Sequence, residues 1–285
     1  DNLAEFKTNL NGFTPDYVAE RTELDKDDII AAARLFASGP KGSASTGTGP
    51  EMGPHGNLVQ HLTQSINAIC GRHYRAGEKL PNAGVLSPLV QPLAQAVPPQ
   101  PEWLTGIRSR VSDDIGEVTV LTANGPIKEM PTAILADEIL MEGDGQVKAL
   151  ICVGGNPLLA WPGEEKAHKA LQNLDLLVCI DYKMSASAEM ADYVVGAKLC
   201  LEREDLTVLT DIWYEQPYSQ YSKKVVDAEG DVIEEWELFW ELGRRLGLDL
   251  SINQQHPLDM VTKPSKRDIL AKMTTDSRVP LDEIY

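Results

Sequence analysis

Clustered cysteine is the first thing this chain lacks. Its four cysteines (Cys70, Cys152, Cys179 and Cys200) form no Cys-x-x-Cys pair. That spacing excludes an ordinary zinc or iron–sulfur module and a disulfide scaffold, and reads the thiols as small core hydrophobes. The five histidines are dispersed, so no metal-ligand or catalytic role is assigned to them. No Ser stands in a Gly-x-Ser-x-Gly elbow, and no pair of acids stands out for general acid–base work. No apolar run reaches membrane-spanning length and no signal peptide is visible, so membrane insertion is not expected. Basic residues are scarce: 26 Lys and Arg against 43 Asp and Glu give a net charge of −17. That balance argues against a broad grip on nucleic acid or anionic lipid. An anionic ligand would need local backbone donors or a placed arginine.

What is present is ordinary globular composition, 42% hydrophobic and 24% charged over 285 residues, enough for one large α/β domain or two smaller ones. The most informative stretch runs from Lys148 to Asp192. An apolar run, Ala149 to Val153, stops at Gly154-Gly155-Asn156-Pro157. A helical segment over Glu164–Gln172 follows, with Ala167, Ala170 and Leu171 facing inward. A second apolar run, Leu174 to Ile180, ends on Asp181. Two short runs joined by a helical crossover predict a βαβ unit with parallel strands. Ligands of such units sit beyond the carboxyl ends of the strands, where both Asn156 and Asp181 fall. The geometry suggests a nucleotide site.

Each candidate has two readings. Gly154-Gly155-Asn156 lets backbone N–H groups approach an anion, because glycine has no Cβ to hold a phosphate away; otherwise it is a sharp turn with no ligand. Asp181 accepts paired hydrogen bonds from a guanine edge or ribose hydroxyls, or is a solvated cap of the next turn. Arg203, in the charge run Leu201–Asp205, meets a phosphate or carbonyl, or sits in a solvated helix start. Gly47-Thr48-Gly49 resembles half of a dinucleotide fingerprint, but without a preceding strand it reads first as a loop, with a short strand at Ala44–Thr46.

Elsewhere, Thr14-Pro15 signals a helix start, and Asp27 or Asp28 is expected to cap a helix bearing Ile29, Ile30, Ala33 and Phe36. Leu58, Leu62, Ile66 and Ile69 share a helix face that Gly71 ends. Five prolines between Leu86 and Pro101 predict an extended linker between two lobes. Val118–Leu121, Tyr193–Val195 and Leu206–Leu209 read as strands, Thr132–Met141 and Ile233–Leu246 as helices. The second helix puts Trp236, Phe239, Trp240, Gly243 and Leu246 on one face; the tail from Ser251 is polar and weakly periodic.

Taken in order, these passages resemble the molybdopterin oxidoreductases of the dimethyl-sulfoxide-reductase type, among them formate dehydrogenases and periplasmic nitrate reductases. The likeness is carried by Thr14 to Glu20 with the following helix, by Gly47-Thr48-Gly49 and Cys70-Gly71-Arg72, and by Val153 to Pro157. It continues through Asp181 to Val194, Glu202-Arg203-Glu204, and Glu235-Trp236 to Gly247. Three positions depart from the pattern: Ser187 stands for Thr, Gly196 for Pro and Asp205 for Gly.

The resemblance implies an α/β fold of two parallel-sheet, Rossmann-like lobes with helices on both faces. Residues 1–85 would be part of the first lobe, 86–115 a linker, 116–250 the second lobe with the guanosine-side crevice, and 251–285 a C-terminal extension. It implies that molybdopterin guanine dinucleotide, carrying molybdenum, touches Gly155, Asn156, Ile180 and Asp181, that Arg203 and Glu235 are neighbours there, and that Gly47, Thr48 and Gly49 lie near a pterin or phosphate. The family's iron–sulfur cluster and metal ligand would lie upstream and its β-barrel downstream, so the partners are the remaining domains of the same polypeptide and a possible redox subunit. This portion alone is then expected to be inactive. A non-catalytic relative, as in the large iron–sulfur subunit of NADH dehydrogenase, is the alternative, and a free-standing nucleotide-binding module is a third. The cytoplasm is the favoured compartment, though the chain begins at Asp1 rather than Met, leaving an export signal open.

Overall fold

The computed structural model describes residues 2–79, 85–86, 107–112, 115–116, 118–122, 125–207, 216, 218–252, 255–275 and 277–285. They fall into two compact units, Asp1–Glu78 and Lys79–Tyr285. The proline-rich stretch expected as a linker lies, from 87 to 106, outside the described residues. Among the described residues no helix is long and apolar enough to cross a membrane.

The first unit is helical: α1 Leu3–Leu10, α2 Pro15–Thr22, α3 Lys26–Ser38, α4 Thr48–Glu51 and α5 Gly56–Ile69. Thr14 caps α2 as expected, its hydroxyl accepting from the Tyr17 N–H, with Pro15 at the first helical position. The cap of α3 is Asp25, not Asp27 or Asp28. Its carboxylate accepts from both of their N–H groups, and those two acids instead occupy the first turn, where negative charge suits the helix dipole. Gly71 ends α5 with φ +66°. Ala44–Thr46 forms no strand. The side chain of Asn67, buried on α5, takes the strand partner's place: its Oδ1 accepts from the Ala44 N–H and its Nδ2 donates to the Ala44 carbonyl, both at 2.8 Å. Leu58, Ile66 and Ile69 stay exposed, and the described residues of this unit contribute no fully buried hydrophobic side chain.

The second unit opens with an antiparallel hairpin, β1 Val118–Thr122 and β2 Gly125–Glu129, then a 3-10 turn leading into α6 Leu135–Leu140. The βαβ unit follows: β3 Ala149–Val153, α7 Pro157–Ala160, α8 Glu164–Gln172 and β4 Leu176–Asp181. Strands β3 and β4 are parallel, in register from Ala149↔Leu176 to Val153↔Ile180. After α9 Ala186–Glu189, β5 Tyr193–Ala197 pairs parallel to β4, with Asp181 opposite Gly196. Strands β6 Asp205–Leu206 and β7 Tyr221–Ser222 form a separate antiparallel pair, and β8 Val232–Ile233 returns to lie parallel to β5. The sheet order is β3-β4-β5-β8, all parallel. The far half of the Leu206–Leu209 strand expectation lies outside the described residues.

Alternation along the strands sends Leu150, Cys152, Leu177 and Cys179 to one face. There they pack with Leu171 of α8, Ala188 of α9, Trp161 and Leu174. Ala167, Ala170 and Leu171 are buried, as the periodicity of α8 predicts. Fully burying an aliphatic side chain of this size stabilises by about 1.5–3 kcal/mol, so this face anchors the unit. On the opposite face Ile151 and Val153 remain exposed.

Helix α10, Glu235–Leu246, starts two residues later than its apolar pattern suggests, because the β-branched pair Val232-Ile233 is taken by β8. Its buried stripe is Trp240 and Gly243, narrower than expected, with Phe239 and Leu246 exposed. A Cβ at Gly243 would sit 2.7 Å from Leu250 Cδ1, which is why the helix tolerates glycine there. The polar tail is ordered into β9 Ser251–Ile252, β10 His256–Pro257, α11 Lys266–Met273 and α12 Leu281–Ile284. Leu270 and Leu281 bury against Leu206, giving the tail its own small core. Of the cysteines only Cys179 is buried; Cys152 and Cys70 are half-buried and Cys200 is exposed, so the core-thiol reading fails for Cys200.

Candidate functional site

Four parallel strands end along one edge of the sheet. Their carboxyl ends lead, in spatial order, to Asn156 after β3, Asp181 closing β4, the segment to Arg203 after β5, and Glu235 after β8. This is the edge at which α/β sheets bind ligands.

Gly154 begins the turn after β3 with φ +59°, a conformation that glycine adopts without strain. Its N–H donates to the Ile180 carbonyl at 2.8 Å, which ties the turn to the end of β4. A Cβ at Gly154 would meet no described residue within 4 Å. Gly155 offers its carbonyl to the Cys152 thiol at 3.2 Å. Asn156 then occupies the N-cap position of α7, with Pro157 at the first helical position. Its side chain does not cap that helix. The Oδ1 accepts instead from the Ser187 hydroxyl at 2.7 Å and the Ser187 N–H at 3.3 Å. The same hydroxyl oxygen accepts from the Leu158 N–H at 3.0 Å. Ser187 is fully buried.

Asp181 is buried rather than solvated. Its Oδ1 accepts from the N–H groups of Tyr182 at 2.8 Å and Lys183 at 3.4 Å, so it does shape the following turn. Its second oxygen accepts from no described residue. Ile180 is fully buried beside it.

Arg203 leaves a 3-10 turn, Cys200–Glu202, and is drawn inward by two carboxylates. Its Nη1 lies 2.8 Å from Glu235 Oε2 and its Nη2 3.4 Å from Asp205 Oδ2. The Nε is buried with no partner among the described residues. The acid at 205, where the resembled pattern has glycine, thus gives this guanidinium a second counter-charge. At the other departure, Gly196, a Cβ would stand 2.9 Å from Val232 Cγ1 and 3.2 Å from the Asp231 carbonyl; the close approach of β8 requires glycine.

Gly47, Thr48 and Gly49 belong to the first unit. Gly47 is the N-cap of the four-residue α4, and Thr48 and Gly49 open that helical turn, so this is not an open loop. No described residue lies within 4 Å of a Cβ placed at Gly47 or Gly49.

Behind the β3 turn, Cys152 and Cys179 stand opposite each other on adjacent strands. Burial pushes both thiols up, and Cys179, with Cys152 beside it, reaches about 11. Both are protonated and unreactive near neutrality. Among the described residues no cluster of three His, Cys, Asp or Glu is placed to hold a metal ion.

Ser187, marked in the sequence only as a departure from the resembled pattern, joins the β3 and β4 loops. Its one signal was its standing where the resembled pattern carries another hydroxyl residue, Thr.

Fold and edge together define an α/β protein with polar and charged side chains at the carboxyl ends of its parallel strands. A family model described as molybdopterin oxidoreductase matches residues 44–245, and the chain belongs to that family. It is 26% identical over 273 residues to acetylene hydratase of Syntrophotalea acetylenica, covering 90% of this chain and 37% of that protein. It is 23% identical over 297 residues to the F420-dependent formate dehydrogenase subunit alpha of Methanocaldococcus jannaschii, covering 100% of this chain and 41% of that protein. The solved structure of acetylene hydratase from Pelobacter acetylenicus superposes with a TM-score of 0.62 at 22% identity, over 87% of this chain and 36% of that one; this likeness shows the fold. The chain therefore spans well under half the length of these relatives.

Proposed function

We propose that this chain is the cofactor-anchoring portion of a molybdenum oxidoreductase, holding the guanosine and phosphate end of molybdopterin guanine dinucleotide at the carboxyl edge of its parallel sheet. One observation carries the reading. Gly154 N–H bonded to the Ile180 carbonyl fastens the Gly-Gly-Asn turn to the strand end that carries Asp181, so a nucleotide-sized group can meet both loops.

The donor set fits such a group. No described residue crowds Gly154, which leaves room for a phosphate close to backbone, and the Asn156 amide, its oxygen turned to Ser187, has N–H groups with no acceptor among the described residues. The second oxygen of the buried Asp181 carboxylate, to which no described residue donates, can accept an N–H of a guanine edge. Arg203 has a buried Nε with no partner among the described residues, although Glu235 and Asp205 offset its charge and limit its pull on phosphate. Gly47, Thr48 and Gly49 are assigned to the pterin or phosphate side. When bound, the cofactor supplies two-electron redox or oxygen-atom chemistry at molybdenum, while the chain supplies position and electrostatics. Iron–sulfur chemistry and the metal ligand would belong to other parts of a longer polypeptide, and this portion alone would be inactive.

In a non-catalytic relative the departures at Gly196 and Asp205 would be traces of an empty crevice. Gly196 has a packing reason of its own, which weakens that reading. Elemental analysis of the purified protein, with fluorescence of its oxidised pterin, tests the proposal. Molybdenum and pterin together near one cofactor complement per chain are expected; protein purified clean of both would defeat it.

A further inference from the structure

Ser187 determines more than the fold of its loop. Its backbone N–H is a donor and nothing else, so the Asn156 atom 3.3 Å away must be the amide oxygen. That same oxygen lies 2.7 Å from the Ser187 Oγ. The hydroxyl has one proton, and it is committed to Asn156 because Oγ also receives the Leu158 N–H at 3.0 Å. Every direction in this three-bond network is thereby fixed. Asn156 cannot flip its amide without setting N–H against N–H, inside a region where Ser187 is fully buried.

We propose that Ser187 is the positioning and specificity-determining residue of the candidate site: it locks the Asn156 amide with its oxygen inward, so that the edge facing the ligand presents N–H donors only. The ligand atom at Asn156 is then an acceptor oxygen of the nucleotide end, a carbonyl or phosphoryl oxygen, and not an amino group. The inference rests on the cofactor reading above. It adds to that reading the polarity of one contact and the residue that enforces it.

The test uses the purified protein as wild type, Ser187→Ala, Ser187→Thr and Asn156→Asp, with two readouts: guanine released by acid hydrolysis per chain, and hydrogen exchange at the Leu158 amide. Asn156→Asp keeps an oxygen for Ser187 to donate to but replaces the outward donors with an acceptor. Guanine content is expected to fall at least fivefold in Asn156→Asp and Ser187→Ala, and to stay within twofold of wild type in Ser187→Thr. Leu158 exchange is expected to quicken at least tenfold in Ser187→Ala and to remain unchanged in Asn156→Asp. If Ser187→Ala quickens exchange yet keeps its guanine, Ser187 is structural only and the proposal is overturned. Full guanine in Asn156→Asp overturns it equally. A wild type without guanine overturns the cofactor reading itself. Leu158 protection lost in Ser187→Ala would then still show that the hydroxyl holds the turn, so the two failures can be told apart.

Discussion

Arg203 Nη1 sits 2.8 Å from Glu235 Oε2 across 32 positions of chain, joining the loop after β5 to the start of α10. With Asp205 on its other nitrogen, the guanidinium has two carboxylate partners. Both pairs are partly exposed, so solvent screens them. Removing one partner by Glu235→Gln is expected to cost about 1 kcal/mol. Urea denaturation should show a lower midpoint with an unchanged slope. A loss above about 3 kcal/mol would mean the pair behaves as a buried one.

Glycine substitutions separate a crowded position from an uncrowded one. Gly196→Ala places a methyl 2.9 Å from Val232 Cγ1, against β8, and should destabilise by roughly 1–3 kcal/mol. Gly49→Ala meets no described residue within 4 Å and should change stability by less than about 0.5 kcal/mol. Thermal denaturation of the two variants side by side checks the contrast. Equal effects would contradict the close approach of β8 to β5.

Thiol chemistry reports the sheet's packed face. Cys200 is exposed and should react fast with an aromatic disulfide reagent, Cys70 more slowly. Cys152 and Cys179 should stay silent until the protein unfolds. The pH dependence has a definite sign. Burial raises the Cys179 thiol from 9.0 to about 11, so the folded state holds this proton more tightly than the unfolded chain does. The associated stability is complete below pH 9 and is lost as pH rises toward about 11. The loss of stability between pH 8 and pH 11, each protein measured against its own value at pH 8, should be smaller in Cys179→Ala than in wild type; equal losses would contradict it.

Acid tests α10. The Glu241 carboxylate receives hydrogen bonds from Arg244 and Arg245, which hold it down near 2. A depressed carboxylate contributes stability above its ordinary value, and that contribution disappears as pH falls toward about 2. Glu241→Gln should therefore differ from wild type in stability at pH 6, and the difference should vanish near pH 2. A difference that persists at pH 2 would assign it to packing.

The βαβ unit was legible because its strands are runs of apolar and β-branched residues with abrupt stops at Gly154 and Asp181. The inward residues of α8 followed from its 3.6-residue period. What was not legible depended on partners distant in sequence. Asn67 replacing a strand partner for Ala44, and Val232-Ile233 leaving the helix for the sheet, are tertiary choices that local pattern does not encode. At the candidate site, the positions of Asn156 and Asp181 could be read from the strand ends. The clamp at Ser187 and the second carboxylate at Asp205 could not, because each acts through hydrogen bonds or charge pairs invisible to spacing.

The most direct test compares wild-type protein with Asp181→Ala, measuring guanine and molybdenum per chain after identical purification. If the carboxyl edge of the sheet anchors the cofactor through its guanosine end, wild type carries both and Asp181→Ala, while still folded by circular dichroism, loses most of both. Equal loading of the two proteins would contradict the account.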